Sequence, residues 1–280
     1  MVLPLRLGQH EFGSRLLTGT GRFPSLERTV EALSASGSEL CTVALRRLPL
    51  DRPEGSALLN ALPPGMRLLP NTAGATTAQE AVRIARMARE ALGTDLVKLE
   101  ILADPVTLYP HNAETLRAAF TLVEEGFTVL PYCGDDPVIC RELEAAGCAA
   151  VMPLAAPIGS GLGLLNPQTL RLIRELVQIP MIVDAGIGSP ADALQAMELG
   201  CDAVLVNTAI AAAKNPVDMA TAFRLAVEAG RLSFLSGRIP KRRYATASSP
   251  QEGFPSAQDA SPVIPGDRSD EDNEENAWSS

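Results

Sequence analysis

Lys98 and Glu100 are the residues whose types and spacing most directly indicate chemistry. They lie two residues apart in the otherwise apolar run 96–102. In a strand, side chains alternate between two faces, so both charged groups point the same way. Buried charges are normally paired, and burial lowers the pKa of a lysine toward the range in which its free amine attacks a carbonyl. This placement predicts a Schiff-base lysine, with a structural ion pair as the alternative.

A second carboxylate opens a segment whose composition suits a phosphate. Asp184 directly follows an apolar run and begins the glycine-containing segment 184–188. Gly186, Gly188 and Ser189 are expected to offer bare backbone amides and a helix start, which are the groups that commonly bind phosphate. The segment is therefore predicted to form half of a phosphate site.

Two further segments are expected to line the same site. Asn207 and Thr208, followed by the mostly small residues 209–213, suit the second half of the phosphate site. The segment 156–163 contains three alternating glycines, which let backbone amides approach a ligand closely. Each glycine motif alone is as typical of a tight turn, so the prediction depends on their occurring together.

The other ionisable groups have structural interpretations. His10 and His111 are the only histidines, which excludes a multi-histidine metal centre and leaves few candidates for a Ser/His/Asp triad. No metal site is predicted. His111 is interpreted as a loop or helix-start residue rather than a base. Cys133 has no histidine near it in the sequence and is not predicted to be a nucleophile.

Two groups of basic residues remain open. Arg46 and Arg47 follow an apolar run, where a guanidinium reaches either the site or the solvent. A basic cluster farther along is interpreted as a solvated stretch, with closure over an anion as the less favoured alternative. The cluster comprises Arg238, Lys241, Arg242 and Arg243.

The elements that must position these groups are short β-rich runs alternating with amphipathic helical patterns. Eight runs are predicted to be strands: 16–20, 40–45, 68–72, 96–102, 128–132, 150–154, 180–185 and 203–208. Helices are predicted at 77–92, 113–125, 137–146, 167–177 and 190–199. The strands start roughly 20 to 30 residues apart, as βα units of a parallel sheet require.

The pattern favours a closed barrel. Runs such as 181–183 and 204–206 are apolar on both faces, which indicates burial on both sides. Eight such units predict an α/β fold, the (β/α)8 TIM barrel, with a doubly wound open sheet as the alternative. In a barrel, functional residues gather at the carboxyl ends of the strands. Lys98, Asp184 and Asn207 are therefore expected to converge.

Composition indicates one large domain and a tail. The chain has 280 residues, of which 46% are hydrophobic. From Thr246 onward, eight acidic residues and one arginine give −7, which leaves −2 of the net charge of −9 for the remainder. We expect residues 1–245 to form the catalytic domain and 246–280 to form an acidic, disordered tail. The nearly neutral domain offers no basic footprint for nucleic acid.

Cysteine usage and hydropathy bear on the compartment. Five scattered cysteines show no metal-ligand spacing, which fits a reducing environment. The start of the chain lacks the features of a signal peptide, and no run of 18 apolar residues occurs. We expect a cytoplasmic protein without a membrane-inserted segment.

Seven motifs, taken together, resemble those of the thiazole synthase family of thiamin biosynthesis, and the resemblance extends over about residues 12–250. They are Thr42–Arg47, Leu69–Gly74, Val97–Glu100, Asp135–Pro137, Met152–Gly161, Val183–Gly188 and Val206–Ile210. The chain does not depart from the family pattern at any chemical position. Its acidic tail extends beyond the usual end of the family.

The resemblance implies a TIM barrel that builds the thiazole phosphate half of thiamin. It implies that Lys98 forms an imine with the ketone of 1-deoxy-D-xylulose 5-phosphate, and that Glu100 and Asp184 are the acid/base carboxylates. The sugar-phosphate contacts that it implies are Gly159, Ala185, Gly186, Asn207 and Thr208.

The resemblance also implies partners. One is a small sulfur-carrier protein with a C-terminal Gly-Gly thiocarboxylate, and another is a separate enzyme that supplies dehydroglycine from glycine or tyrosine. The family suggests a homo-oligomer, either a dimer or a tetramer. No cofactor is predicted. Two alternatives are a Schiff-base aldolase or sugar-phosphate isomerase, and a noncatalytic barrel that binds a sugar phosphate and reports it to a partner.

Overall fold

The computed structural model describes residues 3–47 and 53–246. Contacts divide the chain into one unit that ends at Arg238 and another that begins at Ile239. The predicted tail lies outside the described residues from position 247 onward, so its disorder stays a prediction. The side chain of Arg47 also lies outside the described part.

The first unit is an eight-stranded parallel barrel preceded by an antiparallel hairpin. The strands are β1 (Leu5–Leu7) and β2 (His10–Phe12) in the hairpin, then β3 (Leu16–Gly19), β4 (Leu40–Ala44), β5 (Arg67–Asn71), β6 (Leu96–Leu99), β7 (Thr128–Cys133), β8 (Met152–Pro153), β9 (Ile182–Asp184) and β10 (Ala203–Val206). The order of pairing is β8-β7-β6-β5-β4-β3-β10-β9. Bridges from Val151 to Met181 and from Leu154 to Asp184 join β8 to β9. The predicted TIM barrel is confirmed.

Helices follow the strands of the barrel. They are α1 (Leu26–Ser36), α2 (Pro53–Ala61), α3 (Ala78–Leu92), α4 (Asn112–Glu124), α5 (Pro137–Ala145), α6 (Pro167–Leu176), α7 (Pro190–Glu198), α8 (Thr208–Ala211) and α9 (Pro216–Ser236). Local chemistry sets their starts: the side chain of Thr77 caps α3 by accepting from Glu80 N, and Asn166 does the same for α6 with Thr169 N. The five predicted helices are confirmed within a few residues.

Alternate strand residues face two separate cores. Val97 and Leu99 belong to the core between strands and helices, whereas Leu96 belongs to the core inside the barrel. The period-two reading of this run is therefore confirmed. Each fully buried leucine contributes about 1.5–3 kcal/mol of burial free energy, so both faces stabilise the strand.

The hairpin closes the end of the barrel at which the strands begin. Leu7 and Phe12 of the hairpin pack with Leu96 in the inner core. His10 Nε2 lies 2.9 Å from Asp95 Oδ1, just before β6. His10 therefore holds the hairpin against the barrel, and the site must lie at the opposite, carboxyl end.

Two features bear on the environment of the protein. All five cysteines are free and buried. Of the helices in the described ranges, none is long and apolar enough to cross a membrane.

Candidate active site

Three charged side chains converge inside the carboxyl end of the barrel. Lys98 of β6 forms an ion pair with Asp184 at the end of β9, three strands away around the barrel. The Lys98 Nζ lies 4.0 Å from Glu100 Oε2. The side chains of Lys98, Asp184 and Glu100 are only 8%, 4% and 10% exposed. Of the groups expected to converge, Lys98 and Asp184 are in contact here, with Glu100 beside the same amine.

Thr72 fixes the backbone of Glu100. Glu100 directly follows β6, which ends at Leu99. The buried Thr72 hydroxyl accepts from Glu100 N and donates to Glu100 O, both at 2.8 Å. Thr72 N also donates to Lys98 O. A polar residue at the end of the neighbouring strand was the signal for this role, which the sequence analysis missed.

The charges around Lys98 determine its resting state. Burial lowers its pKa, but Asp184 and Glu100 both raise it, and the net pKa of Lys98 lies above its ordinary value. The expectation of a lowered pKa was wrong because it counted desolvation and only one carboxylate. At rest the amine is an ammonium ion held by Asp184, and it must lose a proton before it can attack a carbonyl.

Tyr132 lies beside the ion pair and was not singled out by the sequence analysis. The Nζ of Lys98 lies 5.7 Å from the centroid of the Tyr132 ring, which is within reach of a cation–π interaction. Burial, and then the charges of Asp184 and Glu100, raise the pKa of Tyr132, so the phenol keeps its proton. Its place on the inward face of the strand next to β6 was the available signal.

The glycine loops after β8 and β9 interlock beside the ion pair. Gly163 N donates to Gly186 O at 2.9 Å. A Cβ on Gly186 would lie 2.4 Å from the Cβ and N of Ala156, and one on Gly188 would lie 2.4 Å from Gly161 O. Only glycine fits these positions, because each approaches another backbone closely.

One part of the phosphate prediction was wrong. The amides of Gly188 and Ser189 donate to Asp192 Oδ2 at 3.0 and 2.8 Å, so they are not bare. Ser189 and Asp192 form a capping box at the start of α7. The prediction did not take into account that an acidic residue three positions after the N-cap accepts hydrogen bonds from these amides in place of a bound anion. Ala185 and Gly186 remain, both in the left-handed region with φ of 66° and 79°.

Asn207 holds a loop rather than pointing freely at a ligand. It precedes α8, and in the amide orientation that satisfies both partners its Nδ2 donates to Gly19 O and Gly21 O at 3.1 Å. Gly19 ends β3, so this contact ties the first loop of the barrel to the last. Thr208 begins α8, where its backbone amide lies in the first turn and has no intrahelical acceptor.

The remaining candidates lie in a turn, at a helix start and on the surface. Gly159 has a φ of 73° within the turn that Ser160 N closes onto Pro157 O, and no atom lies within 4 Å of an added Cβ. His111 is the N-cap of α4, which confirms its interpretation as a helix-start residue. Arg46 is exposed and donates to Gly74 O at 2.9 Å.

Other reactive groups are not poised for chemistry. A hydrogen bond with Cys140, 3.8 Å away, and burial raise the pKa of the Cys133 thiol well above its ordinary value. Arg238, Lys241, Arg242 and Arg243 are exposed. Across the two described ranges, no group of three or more His, Cys, Asp or Glu residues is placed to hold a metal ion.

Comparison with known proteins identifies the family. Residues 6–250 match the sequence profile of a family described as thiazole biosynthesis protein ThiG. The chain belongs to the thiazole synthase family. The thiazole synthases of Sorangium cellulosum and Geobacter sulfurreducens are each 58% identical to it over 251 residues, which is 89% of this chain and 96% of theirs. Membership makes the chain an enzyme of thiamin biosynthesis.

Solved structures agree with this fold. The barrel is similar to a chain in the crystal structure of the Amycolatopsis orientalis BexX/CysO complex, with a TM-score of 0.79 and 37% identity over 87% of this chain and 100% of that one. A structure of native KDPGal, at 18% identity and a TM-score of 0.55, covers 80% of this chain and 99% of that one, and shares the fold alone. These chains therefore share the barrel fold on which the candidate site lies.

The close glycine contacts between the two loops lead to a first prediction. Gly186→Ala should destabilise the fold by about 3 kcal/mol or more, because it adds a clash with Ala156 to an unfavourable left-handed φ. Gly159→Ala, the matched control, has a similar φ with open space and should cost about 1–2 kcal/mol. Denaturant unfolding measures both values, and equal losses would refute the proposed close approach.

Proposed function

We propose that the protein forms the thiazole phosphate of thiamin from 1-deoxy-D-xylulose 5-phosphate, dehydroglycine and sulfur from a carrier-protein thiocarboxylate. The observation that carries the proposal is the burial of Lys98 between Asp184 and Glu100 at the carboxyl end of the barrel. A lysine in such a place suits imine formation with a ketose, and the family to which the chain belongs supplies the identity of the product.

The first step makes the amine nucleophilic. Asp184 accepts a proton from the Lys98 ammonium with which it is ion-paired. The neutral amine then attacks the substrate ketone, and the resulting carbinolamine loses water to give the iminium. Because the proton acceptor is already in contact with the amine, the raised resting pKa of Lys98 does not prevent attack once the substrate displaces solvent.

Later steps move protons along the sugar. The iminium is an electron sink, so a base can remove a proton from the adjacent carbon and the carbonyl can shift along the chain before sulfur enters. Glu100, 4.0 Å from the Lys98 Nζ, and Asp184 are the proposed acid/base pair. Such groups typically contribute about 10²- to 10⁴-fold each. The ring of Tyr132 lies beside the amine, whereas its hydroxyl keeps its proton and donates to Leu108 O at 3.5 Å.

The phosphate end of the substrate needs an anchor. We assign it to the backbone of Ala185 and Gly186 together with the start of α8 at Thr208, which Asn207 ties to the loop after β3. Gly159 would contribute from the loop after β8. An anchored phosphate holds the reacting carbons in register with the amine, which lowers the entropic barrier of each step.

The proposal includes partners and a compartment. The Amycolatopsis orientalis relative was solved in complex with a second protein, CysO, as expected for a barrel that works with a carrier. A separate enzyme would supply dehydroglycine, and the protein would associate into a homo-oligomer. The five free, buried cysteines suit the reducing cytoplasm.

Reconstitution with purified components tests this function. The full-length protein, the sugar phosphate, dehydroglycine and a carrier thiocarboxylate should yield thiazole phosphate, and omission of the thiocarboxylate should abolish the product. Cleavage or isomerisation of the sugar phosphate without the carrier would instead identify an aldolase or isomerase. Sugar-phosphate binding without a covalent adduct would identify a noncatalytic barrel.

A further inference from the structure

Three arginines surround one carboxylate on the face opposite the active site. Arg15 precedes β3 and Asp202 precedes β10, so both lie where the strands begin. Arg174 Nη1 donates to Asp202 Oδ2 at 2.6 Å, while the Nη1 atoms of Arg15 and Arg231 lie 3.9 and 3.8 Å from Asp202 Oδ1. We define Arg15, Arg174, Arg231 and Asp202 as the arginine cluster.

The arginine cluster has a formal excess of two positive charges. Among the side chains that the structure describes, no second carboxylate lies within 4.0 Å of the three guanidinium groups. The side chains of Arg15, Arg231 and Arg174 are only 7%, 14% and 21% exposed. Charges at this depth are costly unless they are compensated, so the excess calls for an anion.

Hydrogen bonding separates the arginines by role. Arg15 donates to the carbonyl oxygens of Asp202 and Leu3, at 2.6 and 2.8 Å, and Arg174 donates to the carbonyl oxygens of Ile179 and Val177. These two guanidiniums therefore clamp the backbone. The guanidinium of Arg231 makes no hydrogen bond to any residue of the described ranges, although its central carbon lies 5.4 Å from the Phe234 ring centroid.

Unused donors accompany the excess charge. Arg15 Nε and Arg231 Nε are buried and have no hydrogen-bond partner within the described residues. A buried donor without a partner is costly, and such an atom in a native structure calls for an explanation. Hydrogen bonds to backbone carbonyls satisfy most of the donors of Arg15 and Arg174. They do not satisfy the donors of Arg231, whose partly exposed side chain remains open to a ligand.

We infer that the arginine cluster is an anion site, in which Arg231 binds a doubly charged tetrahedral oxyanion of the phosphate type. A dianion would neutralise the excess of two charges, and the planar guanidinium fork matches phosphate oxygens. The ligand is inorganic phosphate or the phosphoryl group of a small metabolite. The site is distinct from the catalytic mouth and does not depend on the proposed reaction.

Calorimetric titration of the full-length protein with inorganic phosphate, at constant ionic strength set with chloride, tests this inference. The wild-type protein should bind one more equivalent than Arg231→Gln, or bind it roughly 10- to 100-fold more tightly, as expected for losing a hydrogen bond to a charged group. Arg224→Gln removes one charge from the same helix outside the cluster and should leave binding unchanged. Titration with glycerol 3-phosphate identifies which source of the phosphoryl group is preferred.

Three outcomes would overturn the inference. If the wild-type protein and a folded Arg231→Gln bind phosphate equally, phosphate binds only at the candidate active site. If Arg231→Gln and Arg224→Gln lose phosphate affinity equally, the loss comes from the change in net charge and not from a specific site. If Arg231→Gln does not fold, Arg231→Lys is used instead, because it keeps the positive charge but lacks the planar guanidinium group. Unchanged phosphate affinity in Arg231→Lys would contradict the proposed phosphate geometry.

Discussion

Lys98→Ala is expected to abolish formation of thiazole phosphate, with the rate falling by at least about 10⁵-fold. The covalent step requires an amine positioned against the substrate ketone, and the exposed lysines are not positioned there. The chain has only three lysines, at positions 98, 214 and 241. Of these, Lys98 is buried between two carboxylates, whereas Lys214 and Lys241 are exposed. The measurement is product formation in the reconstituted reaction.

Lys214→Ala is the matched control, because it removes the same functional group from an exposed position. It should keep activity near that of the wild-type protein. Circular dichroism and the unfolding midpoint establish that Lys98→Ala is folded. Product formation by folded Lys98→Ala within about tenfold of the wild-type rate would eliminate the Schiff-base mechanism, since tenfold corresponds to only about 1.4 kcal/mol of barrier.

Asp184→Asn is expected to lower turnover by about 10²- to 10⁴-fold, because the amide cannot accept the proton of the Lys98 ammonium. The same change removes a carboxylate that raises the pKa of Lys98, while the burial that lowers it remains. The pKa of Lys98 should therefore fall, and a larger fraction of the amine should be neutral at a given pH. The pH profile of trapped adduct formation should shift toward lower pH even as turnover falls.

These two readouts separate a proton acceptor from a merely structural carboxylate. Single-turnover product formation and borohydride trapping across a pH series measure them. Asp218→Asn makes the same chemical change at an exposed position in the first turn of α9 and should alter neither readout. A shift of the Asp184→Asn profile toward higher pH, or turnover within a few-fold of wild type, would contradict the assigned role.

The arrangement of the catalytic face was predictable because it depends on local periodicity and on topology. A period of two places Lys98 and Glu100 on one face, and the barrel rule brings Asp184 to the same end. The sign of the Lys98 pKa shift was not predictable in this way. It depends on how closely Asp184 approaches across the barrel, which is a distance that spacing along the chain does not contain.

Residues that act through tertiary contacts were missed for the same reason. Thr72 bonds the backbone of Glu100 because β5 and β6 are neighbours in the barrel. Asp192 accepts hydrogen bonds from the amides of Gly188 and Ser189, which were expected to bind phosphate. Its capping-box spacing was visible in the sequence. The arginine cluster draws on residues from positions 15 to 231, so no local motif reveals it.

Intact mass spectrometry of the wild-type protein, after borohydride reduction in the presence of 1-deoxy-D-xylulose 5-phosphate, tests the central claim most directly. We expect one reduced adduct for each chain, and peptide mapping should assign it to the segment that contains Lys98. The absence of an adduct, or an adduct on Lys214 or Lys241 with Lys98 unmodified, would contradict the account.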